Sequence, residues 1–147
     1  MAIVNVYLMF DGNCEEAFTF YHSVFGGDLP QFSRFKDMPQ EDAVKSEATE
    51  ADSDKIMHVT LPISAETSLM GSDCGEAWSP HFKQGNNFSI SIDAGSKAEA
   101  DAFFNHLSQG GAATMPMSQA FWGSYFGMCT DQFGVNWMIS FDEKPAQ

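Results

Sequence analysis

Hydrophobic and polar positions alternate near the start of the chain, which is typical of a strand with one buried face. In residues 3–10 the alternation predicts two faces: Val4, Val6 and Leu8 on one, Asn5 and Tyr7 on the other. From Cys14 to Phe25 the apolar residues instead recur at helical spacing, after Asn13 as a candidate cap. Gly26-Gly27 ends this segment. The first 27 residues therefore predict a strand, a helix and a stop.

The same plan returns further along the chain. Residues 86–95 alternate again, Ser96 can cap a helix from Lys97 to about Gln109, and Gly110-Gly111 ends it. Sliding the first segment so that Gly26 falls on Gly110 aligns strand, helix and stop without a gap. This shared spacing favours an internal duplication.

Each half continues with three strand-like runs, so each predicts a βαβββ module. The runs are Leu29 to Phe35, Lys55 to Ile63 and Thr67 to Ser72 in the first half, and Ala113 to Met117, Ser124 to Thr130 and Val135 to Phe141 in the second. Residues 131–134 read DQFG and predict a hairpin turn with Gly134 at positive φ. We expect an α+β fold in one domain over residues 1–147, with module one at about 3–73 and module two at about 86–141.

One such module leaves a sheet face uncovered, so two are expected to form a cup with a helix outside each sheet. The residues expected under the helices are Val4, Val6, Leu8, Met57, Val59, Leu61, Phe88, Ile90, Ile92, Trp137 and Ile139. Those expected to face the cup are Asn5, Tyr7, His58, Thr60, Ser89, Ser91, Asn136 and Met138. The cup is therefore predicted to be polar with little charge.

The net charge of the chain limits the kinds of molecule that it is expected to bind. Seven Lys and Arg against 20 Asp and Glu give a formal net charge of −13, which repels nucleic acid and anionic membranes. The acidic stretch from Glu41 to Asp54 is expected to be a solvated loop. The three cysteines form no CxxC pair, and neither a secretory leader nor a membrane-spanning apolar run is evident, so we expect a cytoplasmic protein with free thiols.

Several segments together resemble the PhnB-like branch of the vicinal oxygen chelate superfamily, which includes glyoxalase and bleomycin-resistance proteins. They are YLMFDGNCEEAFTFYHSVFGG at 7–27, MHVTLPI at 57–63, LMGSD at 69–73 and FWGSYFGMCTDQFGVNWMIS at 121–140. The resemblance implies the paired-module fold and, from the family, a homodimer. PhnB-like chains are often described as demethylubiquinone methyltransferases, but the sequence has no Gly-rich strand-to-helix turn for a nucleotide-type cofactor.

The resemblance also implies a divalent metal held by His and Glu from the first and last strands of each module. The corresponding candidates here are Asn5 or Tyr7, Ser89 or Ser91, and Met138, which aligns with a glutamate in the family's usual ending. Hydroxyl and thioether donors are poor ligands for Zn²⁺, Ni²⁺ or Mn²⁺. No cofactor is therefore expected at the standard positions, although a divalent metal at a relocated site remains an alternative.

Two residues define that alternative. His58 is predicted to point into the cup, either as a histidine hydrogen-bonded to Thr60 or Tyr7 or as a ligand-binding or general-base residue. Asp73 follows the fourth strand and is expected to cap a turn, or to reach the cup as a second metal ligand.

Three functions remain open at this point. The preferred one is binding of a small polar or aromatic, preferably cationic, molecule in the cup, with Trp122 as a lid beside Gly123. The second is a metal-dependent lyase- or isomerase-type enzyme that uses His58 and Asp73. The third is an interaction role through exposed rings.

Overall fold

The computed structural model describes residues 2–39 and 49–143. The chain divides into two compact units, Met1–Lys83 and Gln84–Gln147. Each unit carries one of the two predicted βαβββ modules, so the α+β prediction is confirmed.

The first unit contains a four-stranded mixed sheet and one long helix. Its elements are β1 Val6–Phe10, α1 Cys14–Phe25, β2 Gln31–Arg34, β3 Ile56–Pro62 and β4 Ser68–Asp73. The strand order is β1-β4-β3-β2, in which β1 runs parallel to β4 and the other neighbours are antiparallel.

The second unit repeats this topology. Its elements are β5 Ile90–Asp93, α2 Lys97–Ser108, β6 Ala112–Gln119, β7 Ser124–Thr130 and β8 Asn136–Asp142. The order is β5-β8-β7-β6, again with one parallel pair, β5 with β8. Gly134 lies in the β7–β8 turn at φ +86°, as the hairpin prediction requires.

Helix α1 has the predicted bounds, and its apolar stripe packs on one face of the first sheet. Phe18 is fully buried and makes an edge-to-face contact with Phe10, with 6.1 Å between ring centroids. Beneath it, a Cβ on Gly71 would lie 2.7 Å from the Phe18 ring and 2.8 Å from the Leu8 carbonyl oxygen. Only glycine at this position lets the helix approach so closely.

The two helices begin differently. Ser96 accepts a hydrogen bond from the Glu99 N–H at 3.0 Å, which confirms the predicted cap of α2. Asn13 occupies the cap position of α1, but its side chain makes no capping hydrogen bond, so that prediction was wrong. The acceptor for the Cys14 N–H is the Asp73 carboxylate, at 2.9 Å.

Two residues that were predicted to be buried, one before each of the strands β1 and β5, are exposed instead. β1 and β5 begin at Val6 and Ile90, so Val4 is 85% exposed and Phe88 56% exposed instead of packing beneath a helix. In β3 the register shifts so that Ser33 pairs with His58 but Arg34 pairs with Ile56.

That shift makes Met57 the extra residue of a β-bulge. Ile56 consequently enters the core, and Met57, predicted to lie under the helix, is only half-buried. The alternation resumes beyond the bulge, with Val59 and Leu61 buried.

The acidic stretch predicted at Glu41 to Asp54 is not uniformly a solvated loop. Residues 41–48 lie outside the described residues, and Glu50–Asp52 forms a 3₁₀ turn with Asp52 fully buried. The Asp52 carboxylate accepts hydrogen bonds from the Thr49 and Glu76 N–H groups and from the Lys55 ammonium, each at 3.0 Å. Burial alone would raise the pKa of Asp52, but these donors outweigh it and lower the pKa below 3.8.

Strand β6 forms one edge of the second sheet and is exposed along most of its length. Its register with β7 is irregular on both sides of Met115, and Pro116 follows directly. Within residues 2–39 and 49–143, no helix has the length and apolar character needed to cross a membrane.

The Asp73 carboxylate accepts hydrogen bonds from the backbone N–H groups of Gly12, Cys14 and Ile56. We predict that Asp73→Ala lowers the free energy of unfolding by about 3 kcal/mol or more, because these three groups lose their acceptor and each such loss costs about 1–3 kcal/mol. Urea denaturation followed by circular dichroism measures the change. Asp142→Ala, at the exposed end of β8, is the matched control and should leave stability nearly unchanged. Equal effects of the two substitutions would contradict the assigned role.

Asp52→Asn should lower the free energy of unfolding by about 1–3 kcal/mol at neutral pH. Because the pKa of Asp52 is lowered on folding, its contribution is complete above its ordinary pKa of 3.8 and is lost as pH falls below it. The difference from the unsubstituted protein should therefore shrink between pH 7 and pH 3 in urea unfolding curves. Asp54→Asn, whose exposed ion pair with Lys36 is screened by solvent, should have a smaller effect.

Candidate functional site

Tyr7, His58 and Thr60 meet on the face of the first sheet that points away from α1, called here the helix-distal face. β1 and β3 place them there because their strand neighbours Leu8, Val59 and Leu61 are buried on the helix side. His58 Nε2 lies 2.9 Å from Thr60 Oγ1, and His58 Nδ1 lies 3.5 Å from Tyr7 Oη. These are the two partners that the sequence analysis named for His58.

In this cluster one imidazole lies between two hydroxyl groups. Its rings are tilted by 37° with centroids 5.8 Å apart, and Tyr7 is 47% exposed. Neutral imidazole has one donor and one acceptor nitrogen, and each flanking hydroxyl can serve either nitrogen. A ligand carrying an acceptor or a donor can therefore replace the long Tyr7 contact while the shorter Thr60 bond still orients the ring.

Strand register places further side chains on this face that sequence reasoning missed. Met70 of β4 pairs with both Tyr7 and Thr60, so it lies between them. Next to it, the Ser72 hydroxyl donates to Met9 Sδ at 3.1 Å. The alternation in LMGSD could have assigned Met70 to this face, but only the pairing of β4 identifies its neighbours.

The remaining predicted site residues are placed elsewhere. Asn5 precedes β1, and its Oδ1 accepts a hydrogen bond from the Ser68 N–H at 3.0 Å. In the second unit Ser91 pairs directly with Met138, whereas Ser89 lies just before β5. The structure therefore brings together Tyr7, His58 and Thr60, and separately Ser91 and Met138.

Trp122 lies at the tip of the β6–β7 hairpin and is 60% exposed. Its ring packs edge-on against Phe121 at 4.9 Å and lies 5.9 Å from Phe126. Ser124, two residues on, pairs with Asp142 at the far end of β8. Asp142 lies four positions along β8 from Met138, which is about 13 Å at the usual rise per strand residue.

Asp73 has a structural role at the end of β4. It is buried, and its carboxylate accepts hydrogen bonds from the N–H groups of Gly12, Cys14 and Ile56 at 2.9–3.0 Å. This is the capping role expected of it, although it caps α1 instead of the turn that follows β4. His58 lies on the opposite face of the sheet.

The donors at the family's metal positions do not fit a divalent cation. Asn5 Oδ1 is already used by the Ser68 N–H, Ser91 offers a neutral hydroxyl, and Met138 offers a thioether. Zn²⁺, Ni²⁺ and Mn²⁺ prefer imidazole and carboxylate donors over these groups. Within the described part of the chain, no three His, Cys, Asp or Glu residues are grouped closely enough to hold a metal ion.

All three cysteines are buried free thiols. Burial raises the pKa of Cys129 to about 11, and burial together with a hydrogen bond to Asp11 raises the pKa of Cys74 to about 11. Burial is also the largest cause of the raised pKa of Cys14. These thiols are protonated at neutral pH and are therefore poor nucleophiles.

Comparison with known proteins identifies a family across nearly the whole chain. The family model described as 3-demethylubiquinone-9 3-methyltransferase matches residues 2–140. Protein YjdN of Escherichia coli K12 is 29% identical over 144 residues, covering 96% of this chain and 97% of that protein.

Solved structures agree with this match. Protein PA1353 from Pseudomonas aeruginosa is 37% identical with a TM-score of 0.83, covering 98% of this chain and 100% of that one. The PhnB protein from Bacillus cereus is 26% identical with a TM-score of 0.70, covering 94% and 98%. More distant solved members of the glyoxalase/bleomycin resistance/dioxygenase superfamily share the fold.

We predict that thiol reagents label none of the three cysteines rapidly in the native protein at pH 7, whereas all three react after denaturation in urea. A disulfide-exchange reagent with a coloured product measures both rates. Because the pKa values of Cys74 and Cys129 are raised to about 11, their labelling should accelerate only as the pH approaches that range. One thiol that reacts at the rate of a small-molecule thiol at pH 7 would contradict this assignment.

Proposed function

This chain belongs to the PhnB-like family whose model is described as 3-demethylubiquinone-9 3-methyltransferase, and we propose that it binds a small polar or aromatic molecule on the helix-distal face of its first sheet. The observation that carries the proposal is His58, held by Thr60 at 2.9 Å and by a longer contact to Tyr7. An oriented imidazole beside a half-exposed phenol offers both hydrogen bonds and a ring surface.

The surroundings of the cluster suit a ligand with an aromatic or otherwise apolar part. Met70 lies between Tyr7 and Thr60, and Met9 lies beside Ser72. Thioether side chains are flexible and polarisable, and they make favourable contacts with aromatic rings. We expect ring stacking on Tyr7 and apolar contacts with the two methionines, while His58 sets the orientation of the polar end.

The net charge of the protein indicates which charge its ligand should carry. With a formal net charge of −13, the protein as a whole favours the approach of cations over that of anions. A cationic or neutral aromatic molecule is thus preferred over a phosphate or carboxylate compound.

Binding is favoured over the metal-dependent lyase or isomerase alternative. That alternative uses Asp73 as a metal ligand together with His58, but the Asp73 carboxylate already accepts three backbone hydrogen bonds. Moving it onto a metal would leave those buried N–H groups without an acceptor, which is costly. A metal content near one equivalent in untagged protein, lost in His58→Ala, would instead support the enzyme.

The test is a thermal-shift and tryptophan-fluorescence screen of aromatic cations, with benzamidine as the small probe and bleomycin as a large one. A true ligand at about 100 times its Kd stabilises the folded state by about 2.7 kcal/mol and should raise Tm by several degrees. His58→Ala and Tyr7→Phe should each reduce this shift. His106→Ala, an exposed histidine on α2, is the matched control and should keep it in full.

Two results would overturn the proposal. One is the lack of any response across the panel in both assays. The other is a hit whose affinity is unchanged in His58→Ala, because that ligand would bind elsewhere.

A further inference from the structure

Tyr7 and His58 place a proton donor beside a proton acceptor on the helix-distal face. His58 Nδ1 lies 3.5 Å from Tyr7 Oη, which is longer than an ordinary hydrogen bond. Tyr7 is 47% exposed and His58 is half-buried, so a bound molecule can contact both side chains from the solvent side. Neither group is fully engaged by the other, and both are therefore available to a ligand.

Thr60 holds the other nitrogen of the imidazole. Its Oγ1 lies 2.9 Å from His58 Nε2. In the tautomer that carries its proton on Nε2, that proton is donated to Thr60 and the lone pair of Nδ1 faces the Tyr7 phenol. This tautomer combines a base, Nδ1, with an adjacent O–H donor, and the Thr60 bond keeps the ring in that orientation.

The cross-strand neighbours of this pair are uncharged. Met70 pairs with Tyr7 and Thr60, Gln31 pairs with Thr60, and Ser33 pairs with His58. None of these neighbours is a carboxylate or an ammonium group that would compete with a bound molecule for the imidazole. A carbonyl compound on this face therefore meets the phenol as its donor and the imidazole as its base.

The spacing of the two atoms suits a ketone that has a hydrogen on the carbon next to its carbonyl group. The acidic hydrogen and the carbonyl oxygen of such an H–C–C=O unit are carried by adjacent carbon atoms. A base and a donor 3.5 Å apart can therefore contact both at once. The carbonyl oxygen would replace Nδ1 as the acceptor of the Tyr7 hydrogen bond.

We propose that the first unit catalyses the keto–enol tautomerisation of small uncharged aromatic ketones, with His58 as general base and Tyr7 as hydrogen-bond donor. This activity rests on the binding proposed above for the same face. The Tyr7 ring and the Met70 thioether favour an aromatic substrate, and the net charge of −13 disfavours an anionic one.

The proposed reaction is a shift of one proton. His58 Nδ1 takes the proton from the carbon beside the carbonyl group, and the electron pair of that C–H bond forms a C=C bond. The π pair of the C=O bond moves onto oxygen, where the Tyr7 O–H stabilises the developing charge. The Nδ1–H group then protonates this oxygen and gives the enol. Substrate and product are isomers, so no oxidant, reductant or co-reactant is required.

β-Tetralone is the probe, because it is an uncharged aromatic ketone with an acidic C–H group between its ring and its carbonyl. In D₂O each round of enolisation replaces this hydrogen with deuterium, and ¹H NMR follows the loss of its signal. We expect the full chain to catalyse saturable exchange, faster than an equal concentration of free imidazole does. The rate should be unchanged by EDTA.

Two substitutions test the assigned roles. His58→Gln removes the base but keeps a polar side chain, and Tyr7→Phe removes the donor but keeps the ring. Each should lower kcat/KM for exchange by about 100-fold, which is a usual contribution of a positioned base or donor, while Tm changes little. His106→Ala, at the exposed histidine of α2, is the matched control and should exchange at the rate of the parent protein.

Three results would overturn the proposal. The first is exchange no faster than with free imidazole although β-tetralone raises Tm in a His58-dependent way, in which case binding stands and catalysis fails. The second is exchange that EDTA abolishes, which would support the metal-dependent enzyme. The third is an unchanged rate in His58→Gln. Failure of β-tetralone both to raise Tm and to exchange also overturns the catalysis, and the panel of aromatic cations then decides separately on binding.

Discussion

The Asp73 carboxylate is the interaction on which the first unit depends. Its two oxygens accept hydrogen bonds from the turn after β1, from the first residue of α1 and from the start of β3. One side chain at the end of β4 thereby joins four of the five elements of the unit. It stabilises the helix start by supplying an acceptor and a negative charge at the positive end of the helix dipole. It also fixes β1 and β3 relative to each other, and these strands carry Tyr7 and His58.

The second unit repeats the topology of the first with different chemistry. Its buried carboxylate, Asp131, lies in the β7–β8 turn, where it accepts hydrogen bonds from the Phe133 and Val135 N–H groups and from the Trp137 indole. Helix α2 is instead capped locally by Ser96. The two units thus share strand order and helix placement, while each satisfies its buried polar groups with its own residues. The faces away from the helices differ as well. The first sheet carries His58 beside Thr60 and Tyr7, whereas the second pairs Met115, Met128 and Met138 across adjacent strands.

Local pattern was sufficient to predict much of this fold. The bounds of α1 and β7 coincide with the predicted ones, because helical spacing marks the helix and a strand-like run that ends at the DQFG turn marks β7. His58 could be placed beside Thr60 because residues two apart on a strand share a face. Asp73 as the cap of α1 could not be predicted, since its partners lie about 60 residues away in sequence. The pairing of Met115 with Met128 could not be predicted for the same reason, because the register of β6 with β7 is irregular and no local pattern reveals it.

Strand β6 has a further consequence for how the protein behaves in concentrated solution. A long, exposed edge strand is a template on which another chain can add a strand, and such addition leads to aggregation. Pro116 lies in the middle of β6 and supplies no N–H, and the register shifts next to it interrupt the regular spacing of hydrogen-bonding groups. An incoming strand therefore finds no continuous row of partners along this edge. The irregular pairing of β6, which no sequence pattern reveals, thus also protects the sheet from growing beyond its four strands.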